Sequence, residues 1–186
     1  TSYVAVTRVG QVGPDDRVVV IGLGGLGLAA VQVARLRGAR VFGVDINPRR
    51  FDLACAYGAE ECATSVFDLE RHRPTVVVDF VGGPTTAQAL EAVAASGRVV
   101  LVGLGNGPVQ VDATELVLGR KSLLGSLGSQ HTEDFVAVLD HIARGEITAT
   151  IEHVEFGDLN DAYRRLRDAE VSGRLVTRPT APPVAQ

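Results

Sequence analysis

A glycine-rich segment directly after an apolar run has the spacing that points most clearly to chemistry. Gly22, Gly24 and Gly27 follow the pattern G-x-G-x-x-G, and a segment of Leu, Ala and Val comes next. Gly22 would permit a tight turn, Gly24 would let the backbone approach a pyrophosphate, and Gly27 would let a helix pack closely on a sheet. The positive end of that helix favours phosphates. The amides expected to face them are those of Gly24, Gly25 and Leu26.

An acidic residue stands where the second apolar run ends. Asp45 follows Gly27 by 18 positions, and a carboxylate at that place can accept hydrogen bonds from both ribose hydroxyls of an adenosine. We expect Ile46 to contact the cofactor beside it. A 2′-phosphate would face the like charge of Asp45, so the sequence favours NAD over NADP. Arg50 keeps NADP open because arginines in this loop can pair with a phosphate, whereas Arg49 is expected to lie in solvent.

Three more loops contain glycines and follow apolar runs. In open α/β sheets, ligands bind outside the carboxyl ends of the strands, so these loops are expected to converge on one crevice. Their glycines would let the backbone come near a flat ring, and apolar neighbours could enclose adenine or nicotinamide. The candidate cofactor-binding residues in these loops are Phe80, Val81, Gly82, Val102, Gly103, Leu104, Ser126 and Leu127.

Short β-branched runs alternate with longer segments of Ala, Leu and charged residues, which is typical of βαβ units. Most runs are continuously apolar, as expected where helices cover both faces of a sheet. The sequence therefore predicts an α/β fold: a Rossmann-type doubly wound parallel sheet with a short C-terminal strand-helix-strand appendage. Strands are expected at 17–21, 40–44, 75–81, 98–102 and 122–127, with a further short run at 61–63, and helices at 26–36, 47–58, 84–95 and 132–144.

The last part of the chain changes character. A strand-like run at 151–156, a charged amphipathic segment at 158–169 and a final run at 173–177 are too short to form a core alone. The predicted domain organisation is a dinucleotide-binding Rossmann domain at 1–150, a C-terminal segment at 151–178 and a flexible tail at 179–186.

Composition excludes several classes of function. The 186 residues carry a formal net charge of -4 and no basic block, which argues against a nucleic-acid partner. No stretch is long and apolar enough to span a membrane and no secretory signal is visible, so a cytoplasmic location is expected. Cys55 and Cys62 are interpreted as two ordinary thiols. The chain opens at Thr1 and contains no Met, which favours a piece of a longer protein.

Several motifs together resemble the cofactor-binding domain of the medium-chain dehydrogenase/reductase superfamily, and the zinc-type alcohol dehydrogenases in particular. The resemblance covers nearly the whole chain. It rests on the glycine turn, on Gly43-Val44-Asp45-Ile46-Asn47, on Ala56-Tyr57-Gly58-Ala59-Glu60-Glu61-Cys62, on Asp79-Phe80-Val81-Gly82 and on Ser172-Gly173-Arg174-Leu175-Val176.

The resemblance implies roles for particular residues. Asp45 would bind the adenosine ribose with Arg50 beside it, and the segments of Val81, Val102–Leu104 and Ser126–Leu127 would lie along the nicotinamide half. Arg174 would lie near the pyrophosphate and Thr1 next to the nicotinamide. The family transfers hydride between the cofactor and an alcohol or carbonyl substrate, with zinc polarising the oxygen.

The resemblance also sets limits. The family's zinc ligands lie in an N-terminal domain that would precede Thr1, and the segment from Ile151 would return to that domain. The connection from Phe67 to Pro74 is shorter than usual in the family. The four histidines are scattered and expected at the surface, so no metal site is predicted here, and the chain alone is predicted to bind cofactor without turning over substrate.

Other functions remain open from the sequence. A non-catalytic NAD(P)-binding module such as a redox sensor, and an NADP-dependent quinone or enoyl reductase-type relative, would use the same glycine turn. A methyltransferase also combines such a turn with an acid after the second strand, but the apolar helix start favours pyrophosphate. A homodimer is expected through the sheet edge near Ser122 to Leu127, because exposed strand edges readily pair.

Overall fold

Continuous valine-rich runs build a six-stranded, fully parallel sheet in the computed structural model. The structure describes residues 1–105, 107–128 and 131–178. The strand order is β3-β2-β1-β4-β5-β6, so the chain winds in opposite directions from the junction of β1 and β4. This is the doubly wound Rossmann arrangement that the sequence predicts, and it opens a crevice at the carboxyl ends of those two central strands.

The elements of the first unit, Thr1–Thr148, surround this sheet. The strands are β1 (Arg17–Ile21), β2 (Arg40–Val44), β3 (Glu61–Ala63), β4 (Val76–Asp79), β5 (Arg98–Leu101) and β6 (Ser122–Gly125). The helices are α1 (Ser2–Val4, continued by a π-helical segment, Ala5–Val9), α2 (Gly25–Leu36), α3 (Phe51–Ala56, preceded by a 3-10 turn, Pro48–Arg50), α4 (Pro84–Ala92), α5 (Ala113–Gly119) and α6 (Thr132–Ala143). A 3-10 helix (Val66–His72) joins β3 to β4.

Two apolar clusters pack on the opposite faces of the sheet. Val18 and Val20 belong to one cluster and Val19 to the other, and none of the three is exposed. Alternate side chains of a strand point to opposite faces, so an unbroken apolar run is needed where helices cover both. The central strands are therefore fully enclosed, and only their ends can carry a site.

The second unit, Ala149–Gln186, contains the strand-helix-strand that the sequence predicts. Strands β7 (Ile151–His153) and β8 (Arg174–Val176) pair in parallel, and α7 (Leu159–Arg167) follows a 3-10 turn (Phe156–Asp158) between them. Gly173 has a φ of +99°, and a Cβ there would lie 2.4 Å from the Thr150 carbonyl oxygen. The predicted tail at 179–186 lies outside the described residues.

Several elements differ from the sequence expectation. Strands β4, β5 and β6 end earlier than expected, so Phe80, Val102 and Ser126 lie in loops. Helix α4 ends at Ala92, because Val93 already has extended backbone angles. Three elements were not predicted: the N-terminal helix α1, the 3-10 helix between β3 and β4, and α5.

The expectation that every histidine lies at the surface is wrong for His72. Its side chain is only 20% exposed, its ring stacks on Phe42 at 4.2 Å between centroids, and its Nε2 lies 2.9 Å from Glu61 Oε2. His72 ends the unanticipated 3-10 helix, which carries its ring back over the sheet. The His72 ring therefore packs on Phe42 and pairs with the Glu61 carboxylate.

The amino edge of the sheet, opposite the crevice, is held by Asp16. Its carboxylate accepts hydrogen bonds from the Gly13 amide at 3.0 Å, the Thr75 hydroxyl at 2.7 Å and Arg98 Nη2 at 2.8 Å. Burial by itself raises the pKa of Asp16, but these three donors outweigh it and hold that pKa below its ordinary value of 3.8. Ionised Asp16 is therefore favoured by the folded state.

We expect Asp16→Asn to lower the free energy of unfolding at neutral pH by about 1 kcal/mol, because an amide is a poorer partner for Arg98 and must leave one donor unsatisfied. Since the folded pKa is depressed, this contribution is present above pH 3.8 and is lost as pH falls through the folded value. Urea unfolding of both proteins from neutral to acidic pH measures the difference. The exposed neighbour Asp15, changed to Asn, is the control; a gap that stays constant with pH contradicts the assignment.

No helix in the described ranges combines the length and the apolar character that crossing a membrane requires.

Candidate functional site

The glycine turn lies at the carboxyl end of β1, in the crevice beside β4. Gly22 has a φ of +88°, and its amide donates a hydrogen bond to the Val44 carbonyl at 2.8 Å. A Cβ on Gly27 would lie 1.8 Å from the Gly22 carbonyl oxygen. The first turn of α2 therefore rests directly on the backbone of the turn, which only glycine at position 27 allows.

The amino end of α2 is free of competing groups from its own segment. The N-cap is Gly24, which has no side chain to bond to the first amides, and the first turn holds no acidic residue. A Cβ on Gly24 would meet no atom within 4 Å. The first amides of a helix have no partner within the helix, so this end presents donors and a positive dipole at the crevice.

Asp45 is an almost fully buried carboxylate at the edge of the crevice. The residue is 5% exposed and lies just beyond the end of β2. Its Oδ2 accepts hydrogen bonds from the Leu23 amide at 2.8 Å and from Arg50 Nη1 at 2.9 Å, and its Oδ1 accepts one from the Asn47 amide at 2.9 Å. The carboxylate thus links the glycine turn to the loop after β2.

The contact with Arg50 bears on what Asp45 can bind. A carboxylate has about four acceptor positions, and three donors already use it, so Asp45 can receive one further hydroxyl while Arg50 stays in place. Two ribose hydroxyls, as the sequence predicts, require Arg50 to turn away. Asn47 accepts from the Arg49 amide at 3.1 Å and starts the 3-10 turn that brings Arg50 back to Asp45, whereas Arg49 is exposed.

The loops after β4 and β5 pack backbone against backbone. A Cβ on Gly82 would lie 2.2 Å from the Gly103 carbonyl oxygen, and one on Gly103 would lie 2.4 Å from the Phe80 carbonyl. A Cβ on Gly105 would lie 2.6 Å from the Gly82 carbonyl carbon. The glycines of these loops are therefore used first to bring the two loops together, next to the turn after β1.

Asp79 opens one of the motifs that carry the family resemblance, but it was not among the predicted cofactor-binding residues. It ends β4 and is completely buried. Its Oδ1 accepts hydrogen bonds from the amides of Val81 and Gly82, at 2.9 and 3.0 Å, and its Oδ2 accepts from the hydroxyls of Thr85 and Thr86, at 2.9 and 2.7 Å. Asp79 thus fixes the loop that borders the crevice. The sequence signal that could have identified Asp79 is a single carboxylate at the end of a run of valines, three positions before the first of two glycines.

The third loop joins the same edge. The Ser126 amide donates to the Leu101 carbonyl at 2.9 Å, which holds the loop after β6 beside the end of β5. Its neighbour Leu127 is 81% exposed. Large exposed apolar side chains recur at the carboxyl ends of the strands: Ile46, Val81, Leu104 and Leu127. All four lie in loops at the carboxyl edge of the sheet, where ligands bind in open α/β folds.

The remaining predicted residues lie in two different places. Thr1 precedes α1, and the buried Ser2 hydroxyl donates to the Leu26 carbonyl at 2.7 Å, so Thr1 lies near the start of α2. Arg174 belongs to the second unit, where it is exposed and its amide donates to the Thr150 carbonyl at 2.9 Å.

The described histidines, cysteines and carboxylates do not fit zinc. Over residues 1–105, 107–128 and 131–178, no three of these side chains come together in a group that could hold a metal ion. Zinc sites need three or four such ligands.

Comparison with known proteins places this architecture in a family. The model of the zinc-binding dehydrogenase family matches residues 25–144. An alcohol dehydrogenase of Geobacillus stearothermophilus is 30% identical over 96% of this chain and 54% of its own length. The chain spans about half the length of the curated relatives it matches.

Solved structures share the fold. The alcohol dehydrogenase of Aeropyrum pernix aligns with a TM-score of 0.86 at 27% identity, over 96% of this chain and 55% of that one. Acetophenone reductase of Geotrichum candidum, in complex with NAD, aligns with a TM-score of 0.88 at 30% identity, over 95% of this chain and 52% of that one. This chain therefore belongs to the zinc-binding dehydrogenase family of alcohol dehydrogenase-like medium-chain oxidoreductases.

Proposed function

We propose that this chain is the NAD(H)-binding part of an alcohol dehydrogenase-like enzyme that transfers hydride between nicotinamide and an alcohol or carbonyl substrate. The observation that carries the proposal is the junction of the bare amino end of α2 with Asp45, linked through the Leu23 amide. Two groups suited to different parts of one dinucleotide, a pyrophosphate and a ribose, thus lie at the carboxyl ends of the neighbouring strands β1 and β2. The complex of acetophenone reductase with NAD supports the same cofactor.

Each part of the crevice has a distinct task in this proposal. The first amides of α2 hold the pyrophosphate, and Gly24 leaves room for it. Asp45 accepts a hydrogen bond from the adenosine ribose, with Ile46 against the adenosine. The loops ordered by Asp79 hold the nicotinamide half between apolar groups. The bound nicotinamide would supply or accept the hydride, whereas these residues orient it and exclude water.

The remaining proposed contacts are those of Thr1 next to the nicotinamide and Arg174 near the pyrophosphate. They rest on the family resemblance, together with the position of Thr1 close to the start of α2. Gly22, Gly25, Leu26 and Gly27 complete the phosphate loop. The residues proposed along the nicotinamide half are Phe80, Val81, Gly82, Val102, Gly103, Leu104, Ser126 and Leu127.

NADP is the second candidate because Arg50 lies 2.9 Å from Asp45. Its guanidinium neutralises the carboxylate that would otherwise repel a 2′-phosphate, and it is the group that could pair with one. NAD remains the proposal, because Asp45 is fixed by two backbone amides whereas Arg50 is held in this cluster by its side chain.

Calorimetric titration of the chain with NADH and NADPH tests the proposal. We expect NADH to bind with at least about tenfold higher affinity than NADPH, because a 2′-phosphate next to Asp45 costs more than about 1.4 kcal/mol. Equal affinities, or tighter NADPH binding, would overturn the NAD assignment. Absence of binding to either nucleotide would overturn the site itself, provided that circular dichroism shows a folded chain.

Other features of the whole protein are proposals of the same kind. A homodimer through β6 is consistent with its place as the last strand of the sheet. A cytoplasmic location remains a proposal from the sequence pattern. Zinc held outside this chain, and a chain that binds cofactor without turning over substrate, are proposals that rest on the family resemblance. A substrate assay with NADH tests this last expectation when the chain and the full protein are assayed side by side. An enzyme is active only as the full protein, whereas a redox sensor is inactive in both forms.

A further inference from the structure

Two thiols meet between α3 and β3. The Sγ atoms of Cys55 and Cys62 are 3.9 Å apart, and both cysteines are free. The sequence treats them as two ordinary thiols, whereas the fold makes them neighbours, because the turn at Gly58, with a φ of +111°, folds α3 back beside β3. An S–S bond is about 2.05 Å long, so the sulfurs need to approach by about 1.9 Å.

The protein leaves room for the inner sulfur. Cys62 lies opposite Gly43 in the β2–β3 register, and a Cβ on Gly43 would lie 2.8 Å from Cys62 Sγ. Leu23 packs against the same glycine, so the sulfur occupies the gap that the missing side chain leaves in the sheet. Cys62 is therefore positioned by packing, while Cys55 on α3 is exposed.

The two thiols differ in reactivity. Burial, reinforced by neighbouring Cys55, raises the pKa of Cys62 to about 12. The Cys62 thiol lies 4.0 Å from the Phe51 carbonyl oxygen, to which it can donate. Cys62 is thus held as a thiol, and an external reagent reaches Cys55 first. The thiolate is the form that attacks a disulfide, so the exposed Cys55 is expected to react with a reagent before the half-buried Cys62 does.

We propose that Cys55 and Cys62 form a redox-active pair that low-molecular-weight disulfides, such as oxidised glutathione, convert to an intramolecular disulfide. Cys55 as thiolate attacks one glutathione sulfur, forms a mixed disulfide and releases one glutathione thiolate. That thiolate, or water, takes the proton of Cys62, whose sulfur then attacks Cys55 Sγ and releases the second glutathione. Two electrons pass from the protein sulfurs to the reagent, which leaves as two thiols.

The new bond would join the end of α3 to β3. Helix α3 begins at Phe51, directly after Arg50, which pairs with Asp45. The bond closes a loop from position 55 to position 62, which restricts the unfolded chain more than the folded one. The oxidised chain should therefore have a thermal midpoint higher by several degrees, on the order of 5 °C.

The test is oxidation of the folded chain in mixtures of reduced and oxidised glutathione, followed by intact mass and a count of free thiols after acid quenching. We expect the native chain to lose both thiols and two hydrogens without retaining glutathione, and dithiothreitol to restore them. Cys62→Ser should stop as a mixed disulfide with one glutathione on Cys55. Cys55→Ser should remain unmodified, because Cys62 is half-buried and protonated.

The proposal is overturned if the native chain accumulates the same glutathione adduct as Cys62→Ser. It is also overturned if the native chain keeps both thiols while the reagent oxidises a small dithiol in the same mixture. A disulfide that joins two chains would overturn it as well. Far-ultraviolet circular dichroism before and after oxidation checks that the reaction takes place in the folded state. None of these readouts depends on cofactor binding.

Discussion

Gly24→Val should abolish measurable NADH binding while the chain stays folded. Gly24 has a φ of -77° and extended backbone angles, which valine adopts freely, and a Cβ there meets no protein atom within 4 Å. The valine side chain would fill the space proposed for the pyrophosphate. Loss of charge-assisted hydrogen bonds to the phosphates should weaken binding by at least about a hundredfold, or 2.7 kcal/mol. Calorimetry with NADH measures it.

Two other glycines separate this effect from packing. Gly13→Val adds the same side chain at the opposite edge of the sheet, where a Cβ also meets nothing within 4 Å, and should leave NADH affinity unchanged. Gly27→Ala should lower the thermal midpoint strongly, because its Cβ would lie 1.8 Å from the Gly22 carbonyl oxygen. If Gly24→Val is folded and binds NADH like the native chain, the pyrophosphate does not lie at this helix end.

The variant Asp45→Asn should weaken NADH binding by roughly ten- to a hundredfold and reduce or reverse the preference over NADPH. The amide keeps the shape of the carboxylate but removes the charge that opposes a 2′-phosphate, and its single oxygen can no longer accept from all three donors that Asp45 serves. The free energy of unfolding should also fall, by about 1–3 kcal/mol, because the group is 5% exposed and accepts three hydrogen bonds. Parallel titrations with NADH and NADPH, together with urea unfolding, measure both effects.

Asp52→Asn is the matched control for this variant, since Asp52 is an exposed carboxylate in the first turn of α3. It should change neither affinity. Arg50→Ala distinguishes the two nucleotides further: if Arg50 pairs with a 2′-phosphate, NADPH binding falls more than NADH binding. An unchanged NADH to NADPH ratio in Asp45→Asn would show that this carboxylate does not choose between them.

Local sequence was sufficient for the framework of the fold. The short, β-branched runs of β1 and β4 predict buried strands, and the glycine turn between β1 and α2 is contained in six residues. Each of these requirements acts on neighbours in the chain. The doubly wound order follows from this alternation and from the handedness of βαβ connections. The same local signals identified Asp45 as the acid at the end of the second strand.

Two short helices were not predicted, although a capping side chain, Asp112 in one and Ser65 in the other, precedes each of them. Helix α5 and the 3-10 helix of Val66–His72 are short and carry no extended apolar period. The 3-10 helix packs on the sheet through the fully buried Leu69. Helix α5 has no buried residue, and its Leu116 packs against the same apolar cluster. The position of His72 over Phe42 depends on the same packing and could not be read from an isolated histidine in the sequence.

The sequence by itself determined the parallel sheet, the phosphate-type turn and the acid after the second strand, because these are written in residues close together along the chain. Only the tertiary structure decided what each polar or sulfur group faces. In the folded chain, four donors bind the Asp79 carboxylate and Arg50 pairs with Asp45. The Sγ atoms of Cys55 and Cys62 lie 3.9 Å apart. Such contacts depend on how helices and loops pack around the sheet, and small differences of angle there change which atoms meet.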